Sequence, residues 1–128
     1  MDALQEQDVP YGNDWDSAIE AAAYGDAADQ ARPWRAEIRD HIATLIAKLP
    51  RRARVLELGS GPGLLAHRVL QRCPDLEIYT LMDFSEPMLT LSRERLAAFI
   101  EAGVDLPILM PPVDVASVRS TIDAIETW

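Results

Sequence analysis

Nine consecutive residues, Val55-Leu56-Glu57-Leu58-Gly59-Ser60-Gly61-Pro62-Gly63, join a short apolar run carrying one carboxylate to glycines at alternate positions. Gly59, Gly61 and Gly63 have no Cβ and tolerate positive φ, so the main chain here can turn sharply and come close to a bound molecule. The amides that open the following helix then face that ligand. Glu57 stands in a run otherwise written Val-Leu-x-Leu, where an ionised carboxylate is costly to bury alone. A ligand's ammonium, held directly or through water, is a partner of the right charge. The bland alternative is a strand-to-helix turn with a solvated strand-end carboxylate, as many α/β folds have without any ligand.

The glycine order separates nucleotide chemistries. A dinucleotide fingerprint, G-x-G-x-x-G/A, requires a small residue at position 64, and Leu64 stands there. A second carboxylate follows at a useful distance. Leu76-Glu77-Ile78-Tyr79-Thr80-Leu81-Met82 reads as a strand ending in Asp83-Phe84-Ser85-Glu86-Pro87-Met88-Leu89, with Asp83 placed 24 residues past Gly59. A carboxylate at that strand tip can accept hydrogen bonds from both hydroxyls of a ribose.

The Glu57-x-Gly59-x-Gly61-x-Gly63 spacing and the Asp83 to Leu89 stretch together resemble the class I S-adenosylmethionine (SAM) dependent methyltransferases. The resemblance implies that Gly59, Ser60, Gly61 and Gly63 wrap the methionine part of SAM. It further implies that Glu57 meets the ammonium and Asp83 the ribose, with Phe84 and Met88 walling the adenine. It covers about residues 33 to 102, the cofactor half of such an enzyme. No catalytic residue is assigned by it.

These residues need a frame. Strands at 54 to 58 and 76 to 82 alternate with helices at 62 to 72 and 86 to 102, which implies an α/β, Rossmann-like parallel sheet flanked by helices. Its carboxyl edge brings the glycine loop and Asp83 together. Upstream, Trp34, Ile38, Ile42, Leu45, Ile46 and Leu49 recur at helical spacing between Pro33 and Pro50, and this stripe is expected to be core. Arg35, Arg39 and Lys48 fall on other faces, as solvated charges or as a clamp for a substrate carboxylate. His41 and His67 have no second His, Cys or carboxylate at ligand spacing, so no metal site is expected.

Two segments divide the chain. Residues 1–32 read as an acidic N-terminal arm with a helix from about 15 to 30, and residues 33–128 as a partial SAM-binding domain. Residues 1 to 30 hold eight acidic and no basic side chains, whereas residues 31 to 60 hold seven basic and three acidic ones. The arm is therefore expected to fold back over the basic helix, or to act as a lid in which Tyr11, Asp14 and Trp15 close the pocket.

Composition limits the partners. A net charge of −9 opposes a nucleic-acid groove and an anionic membrane surface. Cys73 is the single cysteine and no stretch reaches the apolar length of a membrane span, while Met1 to Glu6 lack the character of a secretory signal. These features fit the cytoplasm.

Beyond residue 102 the pattern thins. Leu106 to Asp114 suggests a third strand that three prolines confine to an edge, with Asp114 a possible reader of the adenine amino group by resemblance, and Val115, Val118, Ile122 and Ile125 suggest a short helix. No fourth-strand motif follows, so a sheet of about three strands is expected, shortened relative to a complete enzyme. The strand at 54 to 58 would then keep one unpaired apolar edge, which favours a homo-oligomer through that edge. Three readings fit: a methyltransferase acting on a small-molecule acceptor, a non-catalytic or degenerate SAM-binding module that assembles with another subunit, and an NAD-linked oxidoreductase, which Leu64 opposes.

Overall fold

The computed structural model describes residues 16–111, 119–120 and 122–124. Tyr11, Asp14, Trp15 and Asp114, with Val115, Val118 and Ile125, lie outside them. Along the described chain run α1 (Ala18–Ala31), α2 (Trp34–Ala47), β1 (Arg54–Leu58), α3 (Leu64–Arg72), β2 (Ile78–Met82), α4 (Glu86–Glu101) and β3 (Ile108–Leu109). Residues 119–120 and 122–124 are helical.

The strands form one parallel sheet in the order β1-β2-β3. β1 pairs with β2 from Arg54 opposite Ile78 to Leu58 opposite Met82, and β3 sets Ile108 opposite Leu81. The third strand is two residues long for the reason its prolines suggest. Pro107 offers no N–H, yet its carbonyl accepts from Leu81 N at 2.8 Å, as the carbonyls of Asp105 and Leu109 accept from Tyr79 N and Asp83 N. A strand that mostly accepts can sit at an edge.

The two parallel crossovers place α3 and α4 on the same sheet face. There Val69 and Leu70 of α3 and Leu96 of α4 close on Tyr79 and Leu81 of β2, joined by Ala43 of α2, Cys73 and Leu106. Leu70, Leu81, Leu89 and Leu96 are each almost wholly buried, contributing roughly 1.5–3 kcal/mol apiece. Ser85 caps α4, its hydroxyl accepting from Met88 N at 3.2 Å, and Pro87 fits the first turn.

The stripe of α2 behaves differently from its periodicity. Trp34, Ile38, Leu45 and Leu49 are all about half exposed, whereas Ala43 is fully buried and Ile46 packs on the core. α2 docks on α3 through the small Ala43, whose carbonyl lies 3.9 Å from Cys73 Sγ. Close approach at a small residue turns the larger side chains of the stripe toward the rim. α1 in turn packs on α4 and α2. Arg39 pairs with Asp29, and the Arg35 guanidinium stands 5.5 Å over the Tyr24 ring and donates to its hydroxyl. The opposite charges of the two sequence segments thus meet at this helix pair.

Candidate functional site

The glycine loop leaves β1 at the carboxyl edge of the sheet. Ser60 N donates to Met82 O at 3.0 Å, which prolongs the parallel ladder past Leu58 before the chain turns. Gly59, Gly61 and Gly63 then adopt φ of 67°, 57° and 82°, left-handed values that side chains with a Cβ resist. Their surroundings divide them. A Cβ on Gly59 or Gly61 would meet nothing within 4 Å, while one on Gly63 would stand 3.1 Å from Ser92 Oγ and 3.3 Å from Ser92 Cα. Gly59 and Gly61 border open space; Gly63 lets α3 begin against α4.

Asp83 holds the loop from below. Its Oδ2 accepts from Gly61 N and its Oδ1 from Ser85 N, both at 2.8 Å, so one carboxylate ties the loop to the start of α4. From α4, Ser92 Oγ donates to Gly61 O at 2.8 Å and Arg95 Nε to Pro62 O at 3.0 Å. Each carboxylate oxygen has two acceptor sites, so Asp83 keeps capacity for a further pair of hydroxyls.

Glu57 is half-buried at the end of β1, and its Oε2 accepts from the Tyr79 hydroxyl at 3.0 Å. Burial pushes its pKa up to about 7, the Tyr79 hydrogen bond opposes that rise, and the Asp83 charge adds to it. Phe84 is 65% exposed at the carboxyl edge, whereas Met88 is buried at 3% one turn into α4. Glu57, Gly59, Ser60, Gly61, Gly63, Asp83 and Phe84 thus gather around the carboxyl ends of β1 and β2, with Met88 behind them.

Two arginines that the sequence offers as solvated charges or as a clamp for a substrate carboxylate border a cavity beside the loop. A cavity of about 300 Å³ is lined by Gly59, Ser60, Gly61 and Pro62 on one side and by Tyr24, Arg35, Ile38 and Arg39 on the other. The four-residue spacing of Arg35 and Arg39 shows that they share a helix face. Which way that face points depends on how α2 docks, and no local signal carries that. Ser60 is 6% exposed and its Oγ is buried with no hydrogen-bond partner among the described residues. His41 is exposed, and His67 stands edge-on to Phe99 at 5.6 Å, its pKa lowered by burial and by Arg95 and Arg68.

Against known proteins, no family model and no curated protein matches the chain. Solved structures do. A protein of Methanococcus maripaludis described as an S-adenosyl-L-methionine-dependent methyltransferase superposes with a TM-score of 0.59 at 17% identity, over 89% of this chain and 60% of its own length. A SAM-dependent methyltransferase of Thiobacillus denitrificans, in complex with S-adenosyl-L-homocysteine, matches 55% of this chain and 27% of its own at 28% identity, with a TM-score of 0.41. An O-methyltransferase family protein of Burkholderia thailandensis matches 68% of this chain and 25% of its own at 22% identity and a TM-score of 0.45. The chain spans about three fifths of the length of the Methanococcus protein. On the sheet order, the crossovers and that superposition, the fold is the Rossmann-like fold of the class I SAM-dependent methyltransferases.

Proposed function

We propose that the chain binds S-adenosylmethionine across the carboxyl ends of β1 and β2, as the cofactor site of a methyltransferase acting on a small-molecule acceptor. The observation that carries this reading is the glycine loop itself: Gly59 and Gly61 open onto free space, and the buried Ser60 Oγ beside them lacks a partner among the described residues. A buried hydroxyl without a partner is costly, and a ligand that fills the adjoining cavity relieves it. The residues fit the cofactor by charge and position. Glu57 presents a carboxylate to an ammonium near the end of β1, and the Arg35 and Arg39 guanidinium groups, held by the Tyr24 hydroxyl and by Asp29, border the adjoining cavity. Asp83 offers its free acceptor sites to ribose hydroxyls, and the exposed Phe84 offers a ring face to a purine.

Bound there, SAM would supply an electrophilic methyl group on sulfonium. The chain's own residues bind and orient it; the loop is fixed in advance by Asp83, Ser92 and Arg95, so little ordering cost falls on binding. Catalysis of methyl transfer rests mainly on alignment of the acceptor, and none of the described residues is assigned to that task. A second reading, a SAM-binding module that assembles with another subunit, is favoured by the position of β1. On its outer side no strand follows among the described residues, and Leu58 is 71% exposed. Self-association through that edge is proposed as the assembly. Leu64, the first residue of α3, opposes the NAD-linked reading.

Calorimetric titration with SAM, S-adenosylhomocysteine and NAD tests the proposal. Saturable binding of the two adenosyl ligands and none of NAD is the expected result. Binding of none of them would reduce the loop to a structural turn, and NAD alone would revive the dinucleotide reading.

A further inference from the structure

Tyr79 is the largest wholly buried side chain among the described residues. It is the second residue of β2, opposite Val55, on the face covered by α3 and α4. A phenol in such a place must find a hydrogen-bond partner inside the fold. It finds Glu57 Oε2 at 3.0 Å, two positions along β1 toward the glycine loop. The ring therefore runs along the sheet from the core to the site and ends on the one carboxylate of β1.

Four arginines on the helices around this core are engaged elsewhere. Arg39 of α2 pairs with Asp29 and Arg35 with the Tyr24 hydroxyl, Arg68 of α3 pairs with Asp40, and Arg95 of α4 donates to Pro62 O. His67 of α3 stands against Phe99. The Asp83 charge disfavours an ionised Glu57, as does burial, and the phenol is the group that opposes them.

We propose that Tyr79 is a positioning residue: its buried hydroxyl favours the ionised form of the Glu57 carboxylate and directs it at the cationic amino group of the ligand in the glycine loop. The inference rests on the cofactor reading above and extends it to a core residue that no ligand touches. With its pKa at about 7, Glu57 is divided between its two forms at neutral pH, and the ionised form is the one an ammonium binds.

Two readouts test this. In the ligand-free chain, the titration of the Glu57 carboxyl carbon by NMR should move upward by about one pH unit in Tyr79→Phe, the scale of one hydrogen bond to a charged acceptor. At pH 7 the ionised fraction would fall from about one half to about one tenth, so SAM affinity should drop about fivefold. A merely structural role for Tyr79 is separated by the Glu57→Gln background, in which adding Tyr79→Phe should cost no further affinity. SAM binding that survives Tyr79→Phe with an unmoved carboxyl titration and unchanged affinity would overturn the inference, as would an equal further loss in the Glu57→Gln background. Failure of the cofactor reading looks different: the wild-type chain would bind no SAM at any pH while the substitution still displaced the titration, and the positioning role would fall with that reading.

Discussion

Substitution of the loop glycines by alanine should separate ligand space from packing space. At Gly61 the φ of 57° costs an alanine about 1–2 kcal/mol, and the new methyl meets no protein atom within 4 Å. At Gly63 the same backbone cost applies, and the methyl also stands 3.3 Å from the Cα of Ser92, which the helix holds in place. Overpacking of that kind adds roughly 1–3 kcal/mol. Gly63→Ala should therefore lose about 2–5 kcal/mol and Gly61→Ala about 1–2 kcal/mol, which corresponds to falls in Tm of roughly 8–20 °C and 4–8 °C. Ligand affinity should rank the variants the other way at equal folded fraction. The methyl of Gly61→Ala projects into the space assigned to SAM and should weaken binding about tenfold or more, a loss of 1.4 kcal/mol or greater. Thermal denaturation followed by circular dichroism gives the first ranking and calorimetry below the transition gives the second. Equal stability of the two variants would refute the packing assignment of Gly63. Wild-type SAM affinity in Gly61→Ala would refute the ligand-facing assignment of the loop.

Asp83→Ala removes the acceptor of two backbone amides besides the proposed ribose contact, so it should cost roughly 2–4 kcal/mol of stability in urea denaturation as well as tenfold or more in SAM affinity; an unaltered urea midpoint would show that the loop does not depend on it. Glu57 has a folded-state pKa of about 7 against an ordinary value of 4.5, so its protonation favours the fold. That contribution is complete below pH 4.5 and is lost as pH rises through 7, and the wild type should lose up to about 3 kcal/mol relative to Glu57→Gln across this window. Parallel stability curves for the two proteins from pH 4.5 to 8 would contradict the burial of this carboxylate. Association through the β1 edge predicts a dimer by light scattering at micromolar concentration, converted to monomer by Leu58→Lys; a monomeric wild type would end that proposal.

Local periodicity carried the strands and most of the helices. Arg54–Leu58 matches the expected 54 to 58, its half-buried Val55 and Leu56 marking the strand before the glycine turn. Helix α3 starts two residues later than its pattern suggests, at Leu64, since Gly63 is spent in a left-handed conformation. The α2 stripe is the instructive failure. Its spacing marks a helix correctly, yet Ala43, a residue the stripe leaves out, is the one at full burial. Periodicity reports which residues share a face; the partner's shape decides which of them touch. Arg35 and Arg39, read from the sequence as solvated charges or as a clamp for a substrate carboxylate, owe their place at the cavity to the docking of α2, which periodicity does not carry. Glu57 and Asp83 were legible as carboxylates at strand ends, but their protein partners, the Tyr79 hydroxyl and the Gly61 amide, depend on strand register and could not be read locally.

The register explains why one short sheet can hold a loop ready for a ligand. Parallel pairing of β1 with β2 sets Leu58 level with Met82, so the chain leaves both strands at the same height and Asp83 meets the Gly61 amide. A one-residue slip would reverse the faces of β1, sending Glu57 away from Tyr79 and exposing Val55. The core contacts of Val55, Tyr79 and Leu81 therefore fix the same register that the loop requires. Asp83, Ser92 and Arg95, which hold the loop, all lie in or next to β2 and α4. The loop thus takes its described support from one side of β1.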